Sequence, residues 1–475
     1  LAILMCAAML IGTTFAWFTD TASTGVNKIV SGNLKVDIIG ADSDSHIEKL
    51  NFTKAATTDA EAGAEILWEP GCRYLTEGFR IANKGNLALK WKAQVNTGTT
   101  AANEGNFDLL DVIDFYLVTK AADGTETETA LDEFTGNLKK TETSDVYYIK
   151  GVMQTTAGND YQGLTLDGIS ITVVATQDTV ESDSFDNQYD KDAEYPILVT
   201  TGDELQAIVS NATAPVNIVL TNSITTNNFV IPEDKDVTLD LNGRTVTNAG
   251  SHTILNKGHL TLTDSSADKS GQIISLKGNT AALRNGDNAV CVVEGGTISR
   301  DGANGNTWHV VENFGKMTFN GGKVVLKNGN GFAITNGWNY FDPGASTTHA
   351  VMEINALELD TDSSGIKNCR YGDLTVNDVT VTSTGYWALS NDYLGTAVIN
   401  GGTLTSNSFK AVSNGAAMTV NGGTFDGTQG FFVQSYATST VLNGGTFANM
   451  NVDALSSYVG TGHTAQQSGT SVIIK

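Results

Sequence analysis

From about residue 195 onwards, short alternations of apolar and polar residues return at a nearly constant interval. The plainest units are VINGGTL at 398–404, TVNGGTF at 419–425 and VLNGGTF at 441–447. FNGGKV at 319–324 and VEGGTI at 293–298 are earlier copies, and LNGRTV at 241–246 and VNDVTV at 376–381 are degenerate ones. The polar residue before each turn falls at Asn242, Asp264, Glu294, Asn320, Asn355, Asn377, Asn400, Asn421 and Asn443, with gaps of 22, 30, 26, 35, 22, 23, 21 and 22. The base period is about 22 residues, and the longer gaps mark inserted loops. A β-rich unit this short cannot bury a face alone and must stack on its copies. Alternation such as Met418 and Val420 fits strands and not helices. Residues 195–475 therefore predict a parallel β-helix, each turn about 4.8 Å above the last, so that nine marked turns make a rod of roughly 40 Å.

A second column repeats with the same period. Asn256, Asn285, Asn313, Asn336, Asn368, Asn391 and Asn414 each follow a short apolar pair and precede a turn. Two explanations fit it: amides stacked coil on coil, or a residue that tolerates positive φ in a turn. Both are structural. Four or five residues ahead of this column stand Trp308, Phe332, Tyr386, Trp387, Phe409 and Phe431. Rings this large favour burial, which predicts an inward stack; facing outward, they could stack on sugar rings. The insertion GWNYFDPGASTTH at 337–349 adds Trp338, Tyr340 and Phe341 as better-exposed candidates. Candidate glycan contacts are thus Trp308, Trp338, Tyr340, Tyr386 and Trp387. Thr201-Gly-Asp-Glu204 reads as a capping box, and with Leu205, Ile208 and Val209 it predicts a short helix over 202–210 that covers the first coil. SYVGTGHTAQQSGTSVIIK predicts a hairpin that closes the other end.

The first half reads differently. Residues 1–15, LAILMCAAMLIGTTF, are uncharged and too short to span a membrane comfortably, but they suit the apolar core of a secretory signal whose basic start is missing. Small Thr14 and Ala16 predict cleavage between Ala16 and Trp17, so residues 1–16 form the signal peptide. In EPGCRYLTEGFRIANKGNLALKWKAQV at 69–95, Asn83 and Gly85 suit a tight reversal of positive φ. Leu87, Leu89 and Trp91 then alternate with polar neighbours as in a half-buried strand. Ile169, Ile171 and Val173 do the same in MQTTAGNDYQGLTLDGISITVVATQ at 153–177. Several such strands separated by polar turns predict a two-sheet β-sandwich over 17–177. The acidic, polar DTVESDSFDNQYDKDAE reads as a linker ending near residue 194.

Three of these segments, AWFTDTASTGVNKIVSGNLKVDI at 16–38 and the runs at 69–95 and 153–177, resemble in order the TasA and camelysin family of Gram-positive surface proteins. The matching leader residues are Ala16, Trp17, Phe18, Asp20, Gly32, Leu34 and Val36. The resemblance implies a jelly-roll-like sandwich, export to the cell surface or matrix, and fibres in which one subunit lends its N-terminal strand to the next. Trp17, Phe18, Val26, Ile29 and Val30 would be the anchors of that donor strand. The second half resembles the pectate-lyase-like superfamily, which implies a right-handed coil. The expected fold class is all-β, a sandwich followed by a right-handed parallel β-helix.

Charge and chemistry narrow the function. The net charge is −24, and both halves are acidic, which excludes nucleic acid as a partner. No Leu-Pro-x-Thr-Gly signal and no terminal membrane span occur, so neither covalent wall anchoring nor a membrane segment in the mature chain is expected. The sandwich holds one histidine, His46, too few for a zinc peptidase. Cys72, Cys291 and Cys369 remain after leader removal, an odd number without zinc or redox spacing. No metal, cofactor or catalytic residue is expected. The best charged cluster on the solenoid is Asp360, Asp362, Lys367, Arg370, Asp373 and Asp378, mixed in sign and one coil deep. The expectation is a non-enzymatic surface or biofilm-matrix protein, with self-assembly and a surface glycan as partners; a glycan-binding or polysaccharide-degrading β-helix is the alternative.

Overall fold

The computed structural model describes residues 34–47, 50–53, 68–96, 99–100, 107–131, 134–167, 170–178, 194–248, 250–305, 307–338 and 347–475. The leader, its cleavage site at Ala16 and Trp17, the donor-strand anchors Trp17, Phe18, Val26, Ile29 and Val30, and Tyr340 with Phe341 lie outside these residues.

The chain is all-β, with antiparallel sheets in its first half and a parallel solenoid in its second. In the larger antiparallel sheet, Val36–Gly40 pairs with Phe79–Asn83, and Tyr147–Met153 bridges Arg73–Thr76 to Ile113–Lys120. A three-stranded sheet sets Leu89–Asn96 between Ser170–Gln177 and Phe134–Leu138. The alternate residues Leu89, Trp91 and Ala93 are buried against Phe79, Ile81, Leu138 and Ile149. Ile171 and Val173 pack on the rim of this core. The turn after Asn83 works by another device than expected. Neither Asn83 nor Gly85 has positive φ. Instead the Asn83 side chain accepts from Gly85 N–H at 2.9 Å and donates to the Leu87 carbonyl at 2.7 Å, closing the turn as a side-chain mimic of backbone.

The second half is a right-handed parallel solenoid of about ten coils. Each full coil contributes one strand to each of three sheets, as Lys316–Phe319, Lys323–Lys327 and Phe332–Asn336 do for the fifth. Inward residues form continuous apolar columns, two in the first sheet (from Val237 and from Leu239) and, in the second, Val246, Ile273, Ile298, Val324, Leu359, Val381 and Leu404 in register. The helix Gly202–Asn211 covers the first coil with buried Leu205 and Val209. Thr201 accepts from Glu204 N–H at 3.2 Å, and the Glu204 carboxylate reaches back to Thr200 N–H at 2.9 Å. At the far end, Ala465–Ser468 and Ser471–Ile474 form a hairpin that pairs antiparallel with Gly445–Phe447.

Two asparagine ladders hold the corners. The inner one runs from Asn256 to Asn285, Asn313, Asn336, Asn368, Asn391 and Asn414, each amide donating to the next side-chain carbonyl at 2.7–2.9 Å. All seven are buried and none has positive φ, so the amide ladder is the reason for the column. Asn414 ends it on Thr440 Oγ1 at 2.8 Å. The outer ladder joins Glu294, Asn320, Asn355, Asn377, Asn400, Asn421 and Asn443 at the turn after the first sheet, at 2.7–2.9 Å and open to solvent. The Asn-Gly-Gly units follow from this corner. A Cβ on Gly401 or Gly422 would lie 2.6 Å from a backbone carbonyl of the preceding coil, that of Asn377 or Asn400, while Gly402 and Gly423 have φ of +94° and +107°.

Candidate functional site

The third sheet carries the most distinctive surface. Its strands, from Leu283–Asn285 to Phe431–Val433, bury an aliphatic or aromatic residue and then, in all but the last, the ladder asparagine. By strand alternation the residue between them points outward. In register these are Arg284, Glu312, Thr335, Lys367, Ser390, Ser413 and Phe432.

One side of this strip is walled by aromatic residues at the bend from the second sheet. Phe332 and Trp387 stack at 5.8 Å and 13° across the coil between them, where Ser364 and Gly365 leave room. Trp387 meets Phe409 edge-on at 5.4 Å, and Tyr386 lies 6.2 Å from Phe409. The wall is neither core nor fully free. Trp308, Phe332, Trp387 and Phe409 are half-buried and Tyr386 is 56% exposed. Only Phe431 turns inward, against Phe425 and Phe447. The expected inward stack is thus wrong for every ring but one, because the bend lifts these side chains out of the coil interior.

Two zones differ in chemistry. In coils three to five the strip is ionic and closed. Glu312, 4% exposed, takes Arg284 Nη1 at 3.0 Å and Trp308 Nε1 at 2.9 Å. Arg284 also lies 4.5 Å over the Phe314 ring. Arg300, fully buried, donates to the His309 and Lys277 carbonyls and to Ser275 Oγ, and burial lowers it to about 10. Burial also holds the imidazoles of His252 and His309 below the usual histidine range; Glu312 opposes this, while Arg284 and Arg300 beside the former and Lys367 and Arg300 beside the latter add to it. Such a base binds its proton more readily once unfolded. Stability is therefore complete above the ordinary histidine value of about 6.5 and falls as pH drops through it. Thermal melting between about pH 7 and pH 5.5 will show this fall, and His309→Gln will flatten it; an unchanged slope in that variant rules the imidazole out.

In coils seven to nine the strip carries Ser390, the buried Ser413 and then Phe432, and its exposed rings gather around the last of these. Lys410 stands 4.8 Å from the Phe409 ring and 3.7 Å from the Phe432 ring. It makes no ion pair among the described residues, and burial lowers its ammonium below the usual lysine range. Phe432 is 38% exposed and Tyr436 57%. Beside them Gln434 Nε2 donates to Ser413 Oγ at 3.1 Å.

Other candidates fall elsewhere. Trp338 follows the inner ladder rather than preceding it, is buried, and packs on Phe314 at 4.6 Å, so it cannot offer a ring to a ligand. The charged cluster around residue 370 does not converge. Asp360 binds Lys327 at 2.8 Å, Asp362 accepts from Asn328 N–H at 2.6 Å, Lys367 pairs with Asp392 at 3.2 Å, and Asp373 pairs with His349 at 2.8 Å. Burial raises the Cys291 and Cys369 thiols to about 12, which fits core residues and not nucleophiles. Among the described residues no group of three or more His, Cys, Asp or Glu is placed to hold a metal, and no helix is long and apolar enough to cross a membrane. Sequence reasoning passed over Glu312, Lys410, Phe432 and Tyr436. The first was legible in principle, as the residue directly before each ladder asparagine forms the outward column.

With this geometry in hand, comparison with known proteins adds little. No protein-family model and no curated protein matches the chain. Among solved structures, the catalytic domain of a GH87 alpha-1,3-glucanase, the D1069A variant in complex with tetrasaccharides, is similar at 11% identity, covering 86% of this chain and 96% of that one. Its TM-score is 0.15, too low for the likeness to carry any argument.

Proposed function

We propose that this is an exported bacterial surface or matrix protein that binds glycan without altering it, the sandwich serving attachment or assembly and the solenoid presenting its third sheet. The observation that carries the reading is the set of exposed rings in coils seven to nine, Tyr386, Phe432 and Tyr436, beside a solenoid core that fully buries Phe229, Phe319, Phe425 and Phe447. Exposed clustered rings mark interaction surfaces, and a ring face suits the apolar face of a sugar. Hydrolysis of a glycosidic bond uses two carboxyl groups facing one bond. On this solenoid Glu312, Asp360, Asp373 and Asp392 are each held by a basic partner instead, which supports binding over cleavage.

A glycan array probed with the intact protein tests the reading. Binding is expected, and Tyr386→Ala will weaken it about tenfold; Trp338→Ala is unsuitable as a probe because that ring is buried. An array with no ligand removes the proposal. Assembly is tested separately by light scattering. Processed protein is expected to form concentration-dependent oligomers, and deletion of Trp17–Ser31 to leave a monomer with an intact solenoid; a processed chain that stays monomeric at high concentration ends the donor-strand idea.

A further inference from the structure

We infer that the exposed Asn-Gly pairs of the solenoid are sites of spontaneous covalent modification: Asn320, Asn330, Asn400 and Asn421 convert to aspartate and isoaspartate, while buried pairs of the same sequence stay intact. This stands independently of the glycan-binding reading.

The chemistry needs only water. The backbone nitrogen of the glycine loses its proton and attacks Cγ of the preceding asparagine. The Cγ–Nδ2 bond breaks, ammonia leaves, and a succinimide ring closes. Water then opens either carbonyl of that ring, giving aspartate or isoaspartate with one solvent oxygen in the product. Glycine favours the closure because it has no Cβ to obstruct the approach and its φ is free. Asparagine is accordingly counted among the thermolabile residues. Two conditions decide which pairs react. The glycine N–H must be free, since one held by another acceptor neither turns towards Cγ nor gives up its proton readily. Water must also reach the amide.

The two ladders sort their pairs by these conditions. In the inner one, Asn285, Asn336 and Asn414 have no solvent exposure, and the N–H of Gly286, Gly337 and Gly415 donates to the ladder asparagine's backbone carbonyl one coil back, at 2.8, 2.9 and 2.7 Å. In the outer one, Asn320, Asn400 and Asn421 are exposed, and the N–H groups of Gly321, Gly401 and Gly422 make no hydrogen bond among the described residues. Asn330 and Gly331, at the bend before the third sheet, share both properties. The outer amides do bond to their ladder neighbours, at 2.8–2.9 Å, but water replaces such bonds at little cost. Asn242 separates the two conditions: it is half-buried, yet the Asp264 carboxylate holds the Gly243 N–H at 2.9 Å.

Each conversion adds a negative charge to a chain already at −24. At position 400 an aspartate still accepts from Asn421 but no longer donates to Asn377. Conversion at 421 as well sets two carboxylates against each other one coil apart, a repelling pair in place of an amide bond. Isoaspartate lengthens the backbone by one carbon at the corner itself.

Incubation of the intact folded protein in heavy-oxygen water at mildly alkaline pH, then digestion in ordinary water and peptide mass spectrometry, tests this, because only conversion during the incubation carries the solvent label. Label is expected at Asn320, Asn330, Asn400 and Asn421, with Asn242 and the three inner residues at least about tenfold slower. In urea the inner residues will rise to the outer rate. Asn400→Gln, whose longer side chain disfavours the ring, will lose the label at that position with unchanged melting. If the inner residues of the folded protein take up label as fast as the outer ones, or stay slow in urea, the fold does not select the sites and the inference fails. If the exposed four stay unlabelled in the folded protein, the ladder holds their amides and the inference is wrong. Label at Asn242 at the outer rate overturns the part assigned to the glycine N–H.

Discussion

Asn368→Ala will lower the apparent unfolding free energy of the solenoid by about 3 kcal/mol, because it orphans several buried groups at once. The two N–H bonds of the Asn368 amide face three acceptors, Asn391 Oδ1 at 2.8 Å and the Gly372 and Thr396 carbonyls at 2.9 and 3.0 Å, so one bond is shared, and the side-chain oxygen accepts from Asn336 at 2.9 Å. No water can replace a partner at a position with no solvent exposure. The outer ladder supplies the control. Asn400→Ala removes bonds of the same length to Asn377 and Asn421, at 2.8 Å each, but water takes their place and the cost stays within about 0.5 kcal/mol. Urea unfolding of both variants measures the contrast. Equal losses would falsify the claim that burial, and not the amide bond itself, sets the energy.

Glu312→Ala is expected to cost a similar amount, about 3 kcal/mol, the lower end for breaking a buried pair because Arg284 keeps 32% of its side-chain surface in water. The substitution leaves a guanidinium and the Trp308 N–H without their acceptor. The same change removes the one carboxylate that moderates Arg300, His252 and His309. Arg284→Met combined with Glu312→Leu should recover most of the loss, since an apolar pair needs no desolvated charge. Calorimetry of the single and double variants decides it: a double variant no more stable than Glu312→Ala means that packing, and not the unpaired cation, is the cost.

Much of the fold was legible because its signals are local and repeated. The 22-residue period, the β-formers between glycine corners and the absence of helical spacing lead to a parallel solenoid from residues alone, since a unit that cannot bury its own face has one way to do so. The Asn-Gly-Gly corners were equally readable, as glycine there answers a positive φ and a close carbonyl. The inner asparagine column could be aligned in the sequence, yet a buried amide and a turn residue look alike there. Only the hydrogen bonds between coils separate them.

The functional face was the tertiary structure's to decide. Periodicity places Trp308, Phe332, Tyr386, Trp387 and Phe409 in one column, but whether a column points inward depends on where the chain bends, and the bend between two sheets has no alternation to read. Trp338 shows the converse: an insertion suggests exposure, and Phe314 from the preceding coil covers the ring instead. Lys410 carries no motif at all; its place between Phe409 and Phe432 arises from rings in two different coils. Sequence determines what each coil must bury, because that is a property of one period. What the coils jointly leave open is a property of their stacking, and it exists only once they are stacked.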